Sequence, residues 1–207
     1  MSEEIVFYHN PQSRSAIVRW MLEELELPYR VELLRFDQKE QKQPAYLAIN
    51  PMGKVPSIVH RGVVVTEVAA ICAYLADAFP ARKLAPALDD PRRGTYLRWL
   101  FFAAACVEPA VSDRAFQRPA VDPSAIGYGS YEDVMRTVET ALARGPFLLG
   151  EWFTAADVYL GAQLGWAMMT KAIEPRPLFT AYSERCRARP GSQRAEAKDA
   201  ALQKART

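Results

Sequence analysis

The first eighty residues show two hydrophobic periods in turn. Short apolar runs and apolar–polar alternation predict strands, whereas apolar side chains at helical spacing predict helices with one buried face. Turn-forming residues separate the segments. The predicted elements are strand 5–8, helix 14–26, strand 29–33, a short helix within 44–49, strand 55–59, strand 63–65 and helix 67–79.

The order of these elements predicts a mixed sheet covered by helices. Strands 5–8 and 29–33 are joined through a helix, which requires parallel pairing. Strands 55–59 and 63–65 are joined by His60-Arg61-Gly62, which indicates an antiparallel hairpin. Thr66 is placed to cap the following helix.

After residue 80 the pattern contains helices and no strand signal. A proline-rich linker precedes a long apolar helix over 93–107, and Glu108-Pro109 is expected to kink or end it. Thr154 and Asp157 form a predicted capping box, with Asp in place of the commoner Glu. Further helices are predicted at 131–143, 158–171 and 178–189, with a loop at 117–130 and a marginal surface helix at 192–205.

Composition excludes several classes of function. The chain has 207 residues, is 50% hydrophobic and carries a net charge of +2, so it has no strong basic field. The basic tail, 185–206, is interpreted as a solvated face, and no nucleic-acid partner is expected. No stretch has the roughly 18 apolar residues of a spanning helix, and the acidic N-terminus lacks a signal peptide's basic region. No membrane association is expected.

The cysteines and histidines give no metal or disulfide pattern. Cys72, Cys106 and Cys186 are widely spaced, with no CxxC, and each is predicted to be a small buried hydrophobe or a free thiol. His9 and His60 are isolated from each other in the sequence, so no metal cofactor is expected. A cytoplasmic protein is the simplest interpretation.

Residues 5–20 carry the candidate chemistry. A strand that runs into a helix N-terminus presents free N–H groups and the positive end of the helix dipole, which attract an anion. Ser13 and Ser15 lie at this point. Taken alone, the motif favours an N-cap role for one serine over a ligand role.

Four stretches change this balance, because together they resemble the cytosolic glutathione transferase superfamily, and within it the bacterial serine- or cysteine-type branch. They are NPQSRSAIVRWMLEELELPY, INPMGKVPSIV, TEVAAICAYLADAFP and GEWFTAADVYLGAQL, in the family order. The resemblance implies an α/β plus all-α fold: a thioredoxin-like domain over 1–80, a linker over 81–90 and an all-helical domain over 91–207. It also implies a cytoplasmic homodimer acting in detoxification.

The resemblance further implies a glutathione site. Val55-Pro56 is expected to be a cis peptide whose Val55 backbone pairs with the cysteinyl part of glutathione. Glu67 would accept from the glutathione ammonium, while the backbone at Glu67 and Val68 would hold the γ-glutamyl carboxylate. Val68 stands where the family usually has a serine, so one hydroxyl is missing. Lys54 is the first candidate for the glycyl carboxylate, with Lys42 and Lys39 as weaker ones.

For the thiolate, a hydroxyl that donates to sulfur near a helix N-terminus lowers the thiol pKa. Ser13 is the best candidate, Ser15 the second and Tyr8 the third. Arg14 occupies the position at which the cysteine-type branch has its cysteine, so mixed-disulfide chemistry through the enzyme is not expected there.

The activity implied is conjugation of the glutathione thiolate to a small apolar electrophile. The electrophile pocket is expected between the domains, lined by Tyr8, Phe102, Cys106 and Trp166. One alternative uses the same thiolate for peroxide or disulfide reduction, isomerisation or dehalogenation. Another is a non-catalytic module that binds a protein partner.

Overall fold

The computed structural model describes residues 3–119 and 121–204. Lys83–Arg189 forms one compact unit, called here the helical unit, and the described residues on either side form the other, called the sheet unit. The predicted domain bounds differ from this division, because the last helix belongs with the sheet unit. Ala205 and Arg206, at the end of the predicted basic tail, lie outside the described residues.

The strands in the described part of the chain form the predicted mixed sheet. They are β1 (Ile5–His9), β2 (Tyr29–Leu33), β3 (Ser57–His60) and β4 (Val63–Thr66), in the order β2-β1-β3-β4. β1 is parallel to β2 and antiparallel to β3, which is antiparallel to β4. Phe7 and Ile58 are fully buried, which accounts for the apolar runs around them.

The helices follow the predicted order. Their bounds are α1 (Ser15–Leu25), α2 (Pro44–Leu47), α3 (Val68–Ala78), α4 (Arg93–Phe102), α5 (Glu108–Ala115), α6 (Tyr131–Leu142), α7 (Ala155–Met169), α8 (Pro177–Arg187) and α9 (Pro190–Lys204). None of the helices within the described residues is long and apolar enough to cross a membrane. The three cysteines are free, and Cys72 and Cys186 are buried.

The helical run does not end at Pro109, so that one of the two predicted outcomes is wrong; the other, a kink, stays a prediction. A π-helical segment, Ala103–Val107, joins α4 to α5, and the helical run continues to Ala115. Pro109 has no N–H to donate within this run, and it directly follows Glu108, the first residue after the π-helical segment in which the α-helical hydrogen-bond pattern is already interrupted.

The predicted capping role of Thr66 is also wrong. Thr66 ends β4, and the N-cap of α3 is Glu67, whose side chain makes no capping hydrogen bond.

Asp157 organises the start of α7, as the capping box predicts. Its buried carboxylate accepts from the Thr154 backbone N–H at 2.9 Å, the Leu148 N–H at 2.8 Å and the Tyr182 hydroxyl at 2.9 Å. These three bonds join the loop before α7 to α8.

The last helix is not a marginal surface helix, because α9 packs along α1. Arg194 and Lys198 pair with Glu23, whose side chain is 5% exposed. Gly191 permits the close approach, since a Cβ there would lie 2.6 Å from the Glu24 side chain. These two tail cations are therefore paired within the sheet unit.

Candidate functional site

The strand register brings three distant stretches to one end of the sheet. Tyr8 of β1 is opposite Ser57 of β3, and Ser57 is opposite Thr66 of β4. The turn after β1, the segment before β3 and the residue after β4 therefore meet at this end of the sheet. They carry, in that order, Ser13, Val55-Pro56 and Glu67.

Ser15, the first residue of α1, is fully buried at this end of the sheet. Its hydroxyl oxygen accepts from the Asn10 N–H at 2.9 Å, and it lies 2.7 Å from His9 Nδ1 and 2.8 Å from the Asn10 carbonyl oxygen. Its polar contacts are with neighbouring protein atoms. Ser15 therefore supports the turn from inside.

Ser13 is half-buried and keeps some exposed surface. Its oxygen accepts from the Ser15 N–H at 3.1 Å, and its hydroxyl donates to the Asn10 carbonyl at 2.8 Å. The Ser13 and Ser15 oxygens are 2.8 Å apart. The N-cap of α1 is Arg14, whose side chain makes no capping bond, so neither serine is the N-cap residue.

His9 connects the turn to the last helix, a role that its isolated place in the sequence does not reveal. It is fully buried, and its Nε2 lies 2.8 Å from Asp199 Oδ1. Arg19 Nε lies 2.6 Å from the same carboxylate oxygen. Burial lowers the pKa of His9, and the bond to Asp199 opposes that shift without reversing it.

The segment before β3 is held by side chains that sequence reasoning also missed. The Lys54 carbonyl accepts from the Tyr46 hydroxyl at 2.5 Å and from the Asn50 amide at 2.9 Å. The next peptide bond, Val55–Pro56, is cis. Val55 precedes the paired residues of β3, so its backbone lies outside the sheet ladder.

The candidate lysines differ in their surroundings. Lys54 is exposed at the turn before Val55. The Lys42 ammonium donates to the Met52 carbonyl at 2.8 Å and so supports the turn itself. Lys39 has a left-handed backbone with φ 53°.

Glu67 and Val68 form the start of α3. Glu67 is exposed and left-handed, with φ 64°, and its carbonyl accepts from the Ile71 N–H at 2.9 Å. The N–H groups of residues 68–70 therefore precede the helical ladder, at the positive end of the helix dipole. Val68 is 8% exposed and belongs to the core.

The four predicted pocket residues are divided between the two units, and the pocket itself stays a prediction. Tyr8 is half-buried in the sheet unit, with its ring 5.3 Å from that of Tyr46. Phe102, Cys106 and Trp166 belong to the helical unit, and Trp166 is 48% exposed. Burial raises the pKa of the Cys106 thiol, which opposes a nucleophilic role for it.

The acidic, histidine and cysteine side chains of residues 3–119 and 121–204 form no cluster of three or more suited to a metal ion.

A mixed sheet with a cis-proline before its third strand, followed by an all-helical unit, defines the class of thioredoxin-like proteins with a helical C-terminal part. Two family models match within it: "Glutathione S-transferase, N-terminal domain" over residues 13–78 and "Glutathione S-transferase, C-terminal domain" over residues 109–185. The chain belongs to the glutathione S-transferase family.

Individual relatives agree with this assignment. The chain is 31% identical to glutathione S-transferase 3 of Schizosaccharomyces pombe over 176 residues, which cover 74% of this chain and 70% of that protein. A crystal structure of a glutathione transferase from Methylococcus capsulatus has a TM-score of 0.80 at 30% identity, covering 95% of this chain and 98% of that one. A Sulfitobacter glutathione transferase homologue with bound glutathione has a TM-score of 0.75 at 27% identity, covering 95% and 99%.

Proposed function

We propose that this protein conjugates the thiolate of glutathione to a small apolar electrophile, with Ser13 donating a hydrogen bond to the sulfur. The observation that carries the proposal is the difference between the two serines of the turn. Ser15 is fully buried and bonded to protein atoms, whereas Ser13 keeps exposed surface beside the start of α1. The bound glutathione of the Sulfitobacter relative supports the choice of co-substrate.

The other groups at this end of the sheet are suited to bind the charged and amide groups of glutathione. The N–H groups at the start of α3 suit the γ-glutamyl carboxylate, and Glu67 suits the adjacent ammonium. The Val55 backbone suits the cysteinyl amide, since it lies outside the sheet ladder. Lys54 suits the glycyl carboxylate, because it carries an exposed cation directly before Val55.

The reaction depends on the fraction of glutathione present as thiolate. A free thiol has a pKa of about 8.5, so little is ionised at neutral pH. A hydroxyl donor at the positive end of α1 stabilises the anion and lowers that pKa. The sulfur lone pair then forms a bond to an electrophilic carbon, and either a leaving group departs with its electron pair or a conjugated double bond accepts the electrons.

The test compares Ser13→Ala with Ser15→Ala. Calorimetry is expected to show glutathione binding to the parent protein and to Ser13→Ala with dissociation constants within about fivefold, since most contacts remain. Ser13→Ala is expected to abolish the ultraviolet thiolate band and to lower kcat/KM about a hundredfold. No binding at millimolar glutathione would refute the enzymatic proposal. An intact thiolate band in Ser13→Ala would move the donor role to Ser15 or Tyr8.

We also infer a cytoplasmic homodimer with an electrophile pocket lined by Tyr8, Phe102, Cys106 and Trp166. The family resemblance supports this inference. Analytical ultracentrifugation tests the assembly, because a monomer at micromolar concentration would contradict it. Phe102→Ala and Trp166→Ala test the pocket: each is expected to raise KM for an apolar electrophile more than KM for glutathione.

A further inference from the structure

A continuous line of hydrogen-bonding atoms runs from the last helix to the exposed serine. Asp199 Oδ1 lies 2.8 Å from His9 Nε2, and His9 Nδ1 lies 2.7 Å from Ser15 Oγ. Ser15 Oγ lies 2.8 Å from Ser13 Oγ. All four residues belong to the sheet unit. We call Asp199, His9, Ser15 and Ser13 the serine–histidine relay.

The relay has the residue types of a hydrolase triad but not its accessibility. Ser15 is 0% exposed, so its hydroxyl cannot attack an external substrate. The relay reaches a ligand only through Ser13, which keeps exposed surface. The relay can therefore act on a ligand only by orienting the Ser13 hydroxyl or by exchanging a proton with it.

The charges around His9 determine where its proton lies. Asp199 Oδ1 lies 2.6 Å from Arg19 Nε and 2.8 Å from His9 Nε2, and a carboxylate accepts from His9 Nε2–H. Nδ1 of a neutral imidazole is then an acceptor. Burial lowers the pKa of His9, which favours this neutral form without ligand, and Arg19 acts in the same direction.

That tautomer of His9 determines which acceptors are available to the Ser15 and Ser13 hydroxyls. The Ser15 hydroxyl then has two acceptors, His9 Nδ1 at 2.7 Å and the Asn10 carbonyl at 2.8 Å, and its oxygen accepts from the Asn10 N–H. Ser13 donates to the Asn10 carbonyl. To pass a proton inward, the Ser13 hydroxyl turns from the Asn10 carbonyl to Ser15 Oγ, which lies 2.8 Å away, and Ser15 then donates to the Nδ1 lone pair of His9.

We propose that His9 receives the thiol proton of glutathione through Ser13 and Ser15. The S–H bond breaks and its proton goes to Ser13 Oγ, the Ser13 proton goes to Ser15 Oγ, and the Ser15 proton goes to His9 Nδ1. The products are a thiolate and an imidazolium, so protons and charge balance without an external base. Afterwards Ser13 donates to the sulfur, Ser15 donates to Ser13, and His9 donates to both Ser15 and Asp199.

Burial disfavours an imidazolium at His9, and two features of the product state offset that cost. The imidazolium forms next to the Asp199 carboxylate, and the thiolate forms at the other end of the relay, so the net charge of the site is unchanged. In the product state each hydroxyl both accepts and donates, and such chains strengthen their members. His9 and Asp199 are positioning residues in this scheme, because they act on the sulfur only through the serines. The inference rests on the proposed function.

Nitrogen-15 spectroscopy of histidine tests the proposal directly. The chain has two histidines, and His60→Gln assigns their signals. His60 serves this purpose because it is bonded to Tyr74 and lies outside the relay. We expect the neutral Nε2–H form of His9 at neutral pH without ligand, and the imidazolium once glutathione is bound as thiolate. A thiolate band with His9 still neutral would overturn the proposal.

Proton counting by calorimetry in buffers of different ionisation enthalpy supplies the second readout. The parent protein and His60→Gln are expected to release almost no proton per thiolate formed, since His9 retains it. In Ser15→Ala the relay is broken while Ser13 remains, so we expect one proton released per thiolate and an about tenfold smaller thiolate fraction at pH 7. S-methylglutathione, which lacks the thiol, should give no release with either protein.

The outcomes separate the two proposals. If glutathione does not bind, or binds with no thiolate band, the proposed function fails. If the parent protein forms the thiolate and releases one proton for each, the relay fails while the proposed function stands. If Ser15→Ala does not fold, the nitrogen-15 measurement on the parent protein still decides.

Discussion

The Tyr46 hydroxyl donates to the Lys54 carbonyl at 2.5 Å, and it thereby ties α2 to the segment that leads into Val55-Pro56. The same hydroxyl lies 2.8 Å from the Ser57 hydroxyl, at the first residue of β3. Tyr46 itself is 3% exposed. One buried phenol therefore positions both ends of the cis peptide that is proposed to contact glutathione.

Tyr46→Phe is expected to weaken glutathione binding about three- to tenfold, because Lys54 keeps only the Asn50 donor and the segment loosens. The free energy of unfolding is expected to fall by about 1 kcal/mol, as for a lost buried hydrogen bond. The thiol pKa of bound glutathione should not change. Calorimetry and urea unfolding measure these effects. Tyr74→Phe, which removes a phenol bonded to His60, is the matched control; equal loss of binding in both would contradict the prediction.

Lys54→Ala is expected to weaken glutathione binding about tenfold at low ionic strength and less at high salt, because an exposed cation is screened. Lys42→Ala is the matched control, since the Lys42 ammonium donates to the Met52 carbonyl and supports the turn. We expect a smaller effect there, with little dependence on salt. Titrations at two salt concentrations measure both. A larger, salt-dependent effect at Lys42 would assign the glycyl carboxylate to that residue.

Val68→Ser restores the hydroxyl that the family usually carries at the start of α3. We expect glutathione to bind up to about tenfold more tightly through a charge-assisted hydrogen bond. The protein should be less stable by about 1–2 kcal/mol, because Val68 is buried. Val68→Ala gives a similar loss of packing without the hydroxyl. If both variants bind glutathione alike, the hydroxyl has no partner at this position.

Stability without glutathione is expected to fall as the pH drops below about 6.5, because of His9. Burial holds the pKa of His9 below its usual value of 6.5, so the unfolded chain takes up a proton before the native protein does. The native state then binds fewer protons, and the free energy of unfolding rises with pH through that range. Urea unfolding between about pH 5.5 and pH 7.5 measures the slope.

In that measurement His9→Gln should reduce the slope. His60→Gln should do the same, since burial also lowers the pKa of His60. A slope that is identical in the parent protein and in His9→Gln would show that His9 titrates normally in the folded state.

Local patterns allowed several elements of the fold to be predicted. The hairpin around His60-Arg61-Gly62 and the capping box at Thr154 and Asp157 depend on neighbours within a few residues, and both are present. The helix was predicted to kink or end at Pro109, and it does not end there. Its continuation depends on a π-helical segment, which has no clear sequence signature.

The side chains that support the candidate site were missed for a different reason. Asp199 is 190 positions from His9, and Arg194 is 171 positions from Glu23. A polar helix such as α9 has the periodicity of a solvent-exposed segment, and only the partner helix shows which of its charges are paired. Tyr46 and Asn50 acquire their role from a backbone carbonyl, which the sequence does not distinguish from any other.

The sequence by itself determined the class of fold, the family and the turn in which a hydroxyl can meet an anion, because apolar periodicity and short motifs are local properties. It ranked Ser13 ahead of Ser15 as the thiolate donor but did not show which of the two side chains is buried. The tertiary structure separated them: Ser15 is buried against His9, and Ser13 keeps exposed surface. His9 in turn pairs with Asp199 of α9, which packs against α1, a contact between the two ends of the chain that no local pattern encodes.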